Sequence, residues 1–255
     1  MPKDSLYALQ IGLKHVAIIP DGNHRWAAKH NVSTVKAYAE GVNIAERVIT
    51  RAQELGIPYI TMYMMSLENV QKRSSTWRKT FFAFLERTLE RYCNNNQLKD
   101  VRILAIGDLS NLPDNLRVKI CEVVESTAGN MGITLVVAIA YTGRDEIVRA
   151  INKCINAQGR AAGGVTADML EKHLDTAGIP PPDLLIRTSG EMRLSGFLLW
   201  QLAYTEFLFV NELWPDFSVE RLDEAVAEFH KRTRNFGSER SSRGENHGNW
   251  ATVNN

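Results

Sequence analysis

His15-Val16-Ala17-Ile18-Ile19-Pro20-Asp21-Gly22-Asn23-His24-Arg25-Trp26 is the stretch that decides the fold. Its first half is an apolar run closed by Pro20, suited to a strand buried on both faces. Its second half changes abruptly to Asp, Gly, Asn, His and Arg. The arrangement recurs in Asp183-Leu184-Leu185-Ile186-Arg187-Thr188-Ser189-Gly190-Glu191-Met192-Arg193-Leu194-Ser195. A parallel sheet that sheds such clusters at its carboxyl edge builds a receptor for a polyanion, with a carboxylate left over for a metal. Together the two stretches point to diphosphate chemistry.

Outward from these, apolar runs read as buried strands at 59–65, 101–106, 133–141 and 206–210, beside 15–20 and 184–188. Helical patterns fill most of the intervals. Val42, Ala45, Val48, Ile49, Ala52 and Leu55 share one face that ends at Gly56 and Pro58. Phe81, Phe84, Leu85, Thr88, Leu89 and Tyr92 form another face, read either as core or as one wall of an apolar tunnel. Further helices are expected at 114–128, 144–157, 166–176 and 219–233, the last capped by Ser218. This alternation predicts an α/β fold: a single domain with a six-stranded, mostly parallel sheet flanked by helices. The Gly/Ala-rich segment Gly159–Gly164 is too short to divide the chain, and the polar stretch from Ser238 onward reads as a flexible tail.

The 255 residues are enough for one large α/β domain with a substantial core. A composition of 44% apolar and 23% charged residues is that of an ordinary globule. With a net charge of +1, nothing pulls the chain generally toward nucleic acid, so anion affinity must be local. Cys93, Cys121 and Cys154 are odd in number and form no paired motif, which favours buried free thiols in a reducing compartment. No run approaches the roughly 18 apolar residues of a membrane span, so a cytoplasmic enzyme is expected, with peripheral membrane contact left open.

Asp21 follows a buried strand, where a carboxylate is costly unless hydrogen-bonded or metal-bound. Gly22 lets backbone amides approach an oxyanion, Arg25 supplies a planar donor fork, and His24 adds a further contact. Asn23 can donate to a leaving group or hold a water. An Asp-Gly turn whose Arg25 and Trp26 only pack fits the same residues. Arg187, Arg193 and Ser195 make a diphosphate receptor, with an ordinary surface Arg–Glu loop around Glu191 as the alternative. Glu206, just ahead of Phe207-Leu208-Phe209-Val210, can complete oxygen ligation of Mg²⁺ with Asp21, or lie as a solvated strand end. Ser66-Leu67-Glu68-Asn69 after the second strand suits a phosphate or a water, and equally a helix cap. The histidines at 15, 30, 173, 230 and 247 show no ligand spacing.

In this order the segments resemble the cis-prenyltransferases, the undecaprenyl diphosphate synthase family. The resemblance runs from His15 to Gly237, which sets the domain at 1–237 and the tail at 238–255. It also takes in Ile106–Ser110, Tyr141–Glu146, Phe197–Gln201, Leu213–Phe217 and Arg234–Gly237. It implies an apolar tunnel between sheet and helices, a homodimer, and Mg²⁺-dependent condensation of isopentenyl diphosphate with an allylic prenyl diphosphate to give a cis double bond. Carried over, Asp21 holds Mg²⁺ and assists departure of the allylic diphosphate, which Gly22, Asn23, His24, Arg25 and Trp26 surround. Arg187, Arg193 and Ser195, with Leu194 between them, bind isopentenyl diphosphate, and Glu206 is the second metal carboxylate. Ser66, Glu68 and Asn69 line the reacting centre, Asn69 placed to help proton removal.

The departures concentrate on the allylic side. His24 stands where the family has Gly, and Thr34 and Tyr38 stand where it has an Arg and a His that grip the diphosphate. Val70 replaces a Trp, and Lys72 an Arg. Ala140 and Thr142 replace Asn and Gly beside Tyr141, while Gly196 replaces an Asn. His24, Lys72 and Tyr38 are expected to offset part of the lost grip. Two other outcomes therefore stay open. One is an enzyme on the same fold that couples two allylic diphosphates irregularly, or ionises one to an alcohol or a cyclic product. The other is a non-catalytic subunit of a heteromeric transferase.

Overall fold

The computed structural model describes residues 12–95, 100–158 and 164–232. Six strands form one sheet: β1 (His15–Ile19), β2 (Tyr59–Ser66), β3 (Arg102–Ile106), β4 (Thr134–Tyr141), β5 (Leu184–Arg187) and β6 (Glu206–Phe209). Their order is β3-β4-β2-β1-β5-β6, and every neighbouring pair is parallel. The helices are α1 (Asn23–Lys29), α2 (Thr34–Glu54), α3 (Leu67–Lys72), α4 (Ser75–Asn95), α5 (Asp114–Ser126), α6 (Gly143–Gln158), α7 (Ala167–Glu171) and α8 (Val219–Lys231).

All five residues of β1 are buried, which is why its sequence is an unbroken apolar run rather than an alternating one. Val16 and Ile18 pack with Val48, Ile49 and Ala52 of α2 and with Leu222, Val226 and Phe229 of α8. Ala17 and Ile19 face the opposite layer, against Tyr141, Leu185, Phe197 and Leu202. A third cluster joins Phe81 and Leu85 of α4 to Leu116 and Ile120 of α5 over β2 and β4. Each such side chain taken fully out of water contributes about 1.5–3 kcal/mol. His15 fits this interior because its Nδ1 donates to Pro180 O at 2.6 Å and its Nε2 accepts from Thr61 Oγ1 at 2.7 Å.

Helix starts follow their caps: Ser218 Oγ accepts from Arg221 N, and Ser66 Oγ accepts from Asn69 N at 3.0 Å. The segment expected as a helix over 166–176 is shorter, ending at Glu171, after which the chain turns toward Gly178. Cys154 is buried as expected, but Cys121 lies on the exposed face of α5. The side chain of Cys93, the loop residues 159–163, and both Arg234–Gly237 and the tail 238–255 lie outside the described residues.

Two departures from the family pattern meet here. A Cβ on residue 196 would come within 2.7 Å of Thr142 Oγ1, so the larger side chain at 142 is accommodated by the glycine at 196. The two loops they belong to are joined by Gly143 N donating to Gly196 O at 2.7 Å.

Candidate active site

The carboxyl ends of β1, β2 and β5 open onto a cavity of about 520 Å³. Its walls are Asp21, Gly22, Asn23, His24 and Arg25 from the start of α1, Tyr38 of α2, Met64, Asn69 and Arg73 around α3, Trp77 and Phe81 of α4, and Glu191 and Arg193. The stretches His15–Trp26 and Asp183–Ser195 therefore share one mouth.

Gly22 makes the turn from β1 into α1 at φ 110°, and a Cβ there would lie 3.0 Å from Leu213 Cδ2. Its N–H is taken by Asp21 Oδ1 at 2.8 Å, so it steadies the carboxylate rather than facing an oxyanion. Arg187 Nη2 donates to the other oxygen, Asp21 Oδ2, at 2.9 Å. The Arg187 guanidinium is itself buried and also donates to Ser195 Oγ at 3.0 Å and to Arg193 O. It organises the site from behind; Ser195, at its end, is exposed.

Two other guanidiniums, those of Arg25 and Arg193, meet on one side of the cavity. Arg25 Nη2 reaches Glu191 Oε1 at 3.2 Å and Ser189 Oγ at 2.5 Å, and Arg193 Nη1 donates to Glu191 Oε2. One carboxylate thus sits between two forks whose geometry suits phosphate oxygens. The loop that carries it coils through positive φ at Ser189 (78°), Gly190 (73°), Ser195 (51°) and Gly196 (79°). Non-glycine residues there cost roughly 1–3 kcal/mol each, and such strain gathers at ligand clamps. Glu212 O and Val210 O hold the loop by accepting from Ser189 N and Gly190 N.

On the opposite wall Trp77 Nε1 donates to Tyr38 Oη at 3.0 Å, and Tyr38 Oη lies 3.0 Å from His24 Nε2. Phe81 stacks flat on Trp77 at 5.0 Å. Desolvation lowers the imidazole's proton affinity, with Arg73 acting the same way and Asp21 opposing. Burial likewise pushes the Tyr38 phenol up. The allylic side is therefore lined by neutral groups at neutral pH, with Arg73 as a nearby cation.

Other expected site residues fall elsewhere. Lys72 is exposed and absent from the cavity wall; the next residue, Arg73, lines it instead. This is a correction by one residue, because α3 ends at Lys72 and Arg73 leaves it in extended backbone (φ −72°, ψ 152°). Trp26 turns away, its Nε1 donating to Asp216 Oδ1 at 2.7 Å and its ring against His30. Ser66 caps α3, and neither it nor Glu68 lines the cavity. Leu194 packs against the Ala17–Ile19 cluster. Asn23 lines the wall, but its Nδ2 donates to Pro20 O at 3.2 Å and its Oδ1 is buried without a partner. Arg73 and Trp77 were missed in the sequence; a basic residue just past a short helix was the signal for the first.

Glu206 requires a larger correction. It begins β6, level with Leu184, while Ile19 pairs with Arg187 and Arg187 with Phe209. Glu206 is therefore three residues behind the level of Ile19, roughly 10 Å along the strands, and Asp21 lies beyond that level. Its Oε2 accepts from Arg232 Nη1 at 3.1 Å. Within one chain Asp21 and Glu206 do not share an ion.

The residues present still fit a hard divalent cation. Mg²⁺ is commonly held by one or two carboxylates together with substrate phosphates. Asp21 faces the cavity, with each oxygen accepting one hydrogen bond and keeping a lone pair. Among the described residues no group of three or more His, Cys, Asp or Glu is placed to hold a metal by itself.

Met64 borders this cavity and also a second, apolar one of about 70 Å³. The second lies between Val42, Ala45 and Ile49 of α2, Leu85, Leu89 and Tyr92 of α4, α5, and the sheet residues Ile103, Leu135 and Ile139. The Phe81–Tyr92 face is thus both core and wall.

Comparison with known proteins bears on the family and the fold. The family model for undecaprenyl diphosphate synthase matches residues 19–237. An isoprenyl transferase of Treponema denticola is 41% identical over 236 residues, 89% of this chain and 98% of that protein. The ditrans,polycis-undecaprenyl-diphosphate synthase ((2E,6E)-farnesyl-diphosphate specific) of Micrococcus luteus is 38% identical over 239 residues, 88% of this chain and 91% of that one. Among solved structures, lavandulyl diphosphate synthase from Lavandula x intermedia in complex with dimethylallyl diphosphate superposes with a TM-score of 0.82 at 36% identity, covering 90% of this chain and 100% of that chain.

Proposed function

The chain belongs to the undecaprenyl diphosphate synthase family and is a prenyl transferase of the cis-prenyl diphosphate synthase type; on that premise we propose which residues carry its condensation of isopentenyl diphosphate with an allylic prenyl diphosphate. The observation that supports the assignment is the convergence of Asp21, Arg25, Asn69 and Arg193 on one cavity that shares Met64 with a neighbouring apolar one.

In this reading the allylic diphosphate lies against Asp21, His24, Arg25 and Arg73, with its prenyl chain directed past Met64. Isopentenyl diphosphate lies against Arg193 and Ser195. Asp21 would hold Mg²⁺, whose charge offsets that of the departing diphosphate. The C–O bond of the allylic substrate breaks with its electron pair leaving on the diphosphate. The double bond of isopentenyl diphosphate then attacks the allylic carbon, and the resulting cation gives one proton to the released diphosphate. Asn69, whose side-chain amide has no protein partner among the described residues, orients the group that takes that proton. Arg187 acts through others by fixing Asp21 and Ser195. Preorganised donors aimed at the developing anion, in a site whose far wall is apolar, are the main source of acceleration.

Purified protein incubated with radiolabelled isopentenyl diphosphate, Mg²⁺ and dimethylallyl, geranyl, farnesyl or geranylgeranyl diphosphate should yield a longer labelled product from at least one donor. No product from any of them overturns the reading. A second outcome, the joining of two allylic diphosphates, is favoured by the neutral His24–Tyr38–Trp77 wall and by the likeness to a synthase that holds dimethylallyl diphosphate. Mass spectrometry of products made without isopentenyl diphosphate separates the two. We further propose a homodimer acting in the cytoplasm; among the described residues no helix is long and apolar enough to cross a membrane.

A further inference from the structure

The Trp77–Tyr38–His24 contacts have a direction. An indole N–H can only donate, so Tyr38 Oη accepts from Trp77 Nε1 at 3.0 Å. The phenol carries one hydrogen of its own, and His24 Nε2, at 3.0 Å, is the partner within reach that can accept it when that nitrogen is bare. Were Nε2 to carry a proton instead, Tyr38 would accept twice. Its hydrogen would then have no protein acceptor among the described residues, on a residue only 9% exposed. The Tyr38 ring is held in place by edge contact with Phe81 at 5.3 Å, and Phe81 stacks on Trp77. The chain of donation therefore runs from α4 through α2 to α1, and ends on an imidazole nitrogen that must be bare.

Given the allylic diphosphate site proposed above, on which this step rests, we propose that this relay locks His24 as the neutral Nδ1–H tautomer and makes that N–H the hydrogen-bond donor to the leaving diphosphate. His24 then touches the substrate, while Tyr38 and Trp77 are positioning residues. The imidazole occupies the cavity wall with Nδ1 free of any protein partner among the described residues. A neutral imidazole donating to a developing anion is an efficient electrophile because it loses no proton in doing so. It also cannot act as the base that quenches the allylic cation, since Nδ1 already holds its hydrogen and Nε2 is occupied by Tyr38.

Long-range ¹H–¹⁵N spectra of enzyme labelled at histidine nitrogen test the tautomer, His24 being assigned by the loss of its signals in His24→Gln. A protonated Nδ1 and a bare Nε2 are expected, and an Nε2–H form overturns the proposal. Inorganic diphosphate with Mg²⁺ should move the Nδ1 signal of the wild type; an unmoved signal overturns the donor role. Tyr38→Phe should mix the tautomers and raise KM for the allylic substrate about three- to tenfold, the range of one hydrogen bond, with KM for isopentenyl diphosphate unchanged. Trp77→Phe should act in the same direction and less. Equal changes in both KM values would show a merely structural role and overturn the positioning claim. His24→Asn, whose amide N–H falls near the Nδ1 position, should retain more activity than His24→Gln, and the reverse order overturns the assignment. Should the spectra and the diphosphate response be as expected while no prenyl transfer occurs with any donor, the relay is supported and the transferase reading falls.

Discussion

Arg187 Nη2 donates to Asp21 Oδ2 across 2.9 Å, so the carboxyl ends of the neighbouring strands β1 and β5 are tied at the mouth of the cavity. The guanidinium is 2% exposed and the carboxylate half-open, which places the charge pair at the border between core and site. Register supplies the meeting: Ile19 pairs with Arg187, and the chain then carries Asp21 two residues further to where the guanidinium reaches. A carboxylate so held keeps one orientation toward the cavity.

Replacing Asp21 by Asn keeps the shape and removes the charge. A preorganised electrostatic contact of this kind is worth about 2.7–4 kcal/mol, so kcat should fall 10²–10³-fold. The apparent affinity for Mg²⁺, measured by titrating the metal at saturating substrates, should weaken in parallel, and chelation should abolish wild-type turnover. A variant with normal metal dependence would show that Asp21 does not hold the ion.

Glu191 stands between Arg25 and Arg193 where phosphate oxygens are proposed to bind. Diphosphate must compete with it. Because the two Arg side chains are 51% and 61% exposed, each pairing contributes no more than about 1 kcal/mol. Glu191→Gln should therefore tighten binding of inorganic diphosphate by only about two- to fivefold in calorimetry at low salt. The gain should shrink at high ionic strength, since exposed charges are screened over about 8–10 Å.

Leu85 lines the apolar cavity and is 3% exposed. Leu85→Ala should cost about 2–5 kcal/mol of stability, as buried leucine truncations do. It should also lengthen the longest product by at least one five-carbon unit, read by mass spectrometry. Ala105→Leu, on the sheet side of the same cavity, should shorten it. An unchanged product distribution in both would remove this cavity from the path of the growing chain.

Much of this architecture was legible beforehand because a parallel sheet buried on both faces writes each strand as an apolar run. β1 and β5 differ from their sequence expectations only at the ends. The polar cluster at the cavity mouth was legible for a related reason, since polar residues directly after such runs must lie at the carboxyl edge. The same rule, applied strictly, speaks against Glu206: it opens its strand and so lies at the amino edge, away from Asp21. Lys72 and Arg73 could not be told apart in sequence. Which of two adjacent basic residues enters the cavity depends on where α3 stops. The pairing of Thr142 with Gly196 was equally hidden, because it joins two loops that touch only after folding.

His15 makes a stability prediction with a definite sign. It is 1% exposed, and desolvation lowers its pKa to about 4, the Pro180 carbonyl and Asp183 opposing. Its native hydrogen bonds use the neutral ring, with Nδ1 donating and Nε2 accepting. In the unfolded chain the same imidazole takes up a proton near its ordinary value of 6.5. Above that pH both states are neutral and His15 adds no pH dependence. Between pH 6.5 and about 4 the unfolded state binds the extra proton, so stability falls as the pH is lowered, by up to about 3 kcal/mol, and levels off below. For a chain of this size each kcal/mol shifts Tm by about 2–4 °C. Thermal unfolding at pH 7.5 and 4.5 should show a larger drop in the wild type than in His15→Gln, whose side chain does not titrate. Equal drops would mean that His15 is accessible to protons in the folded state.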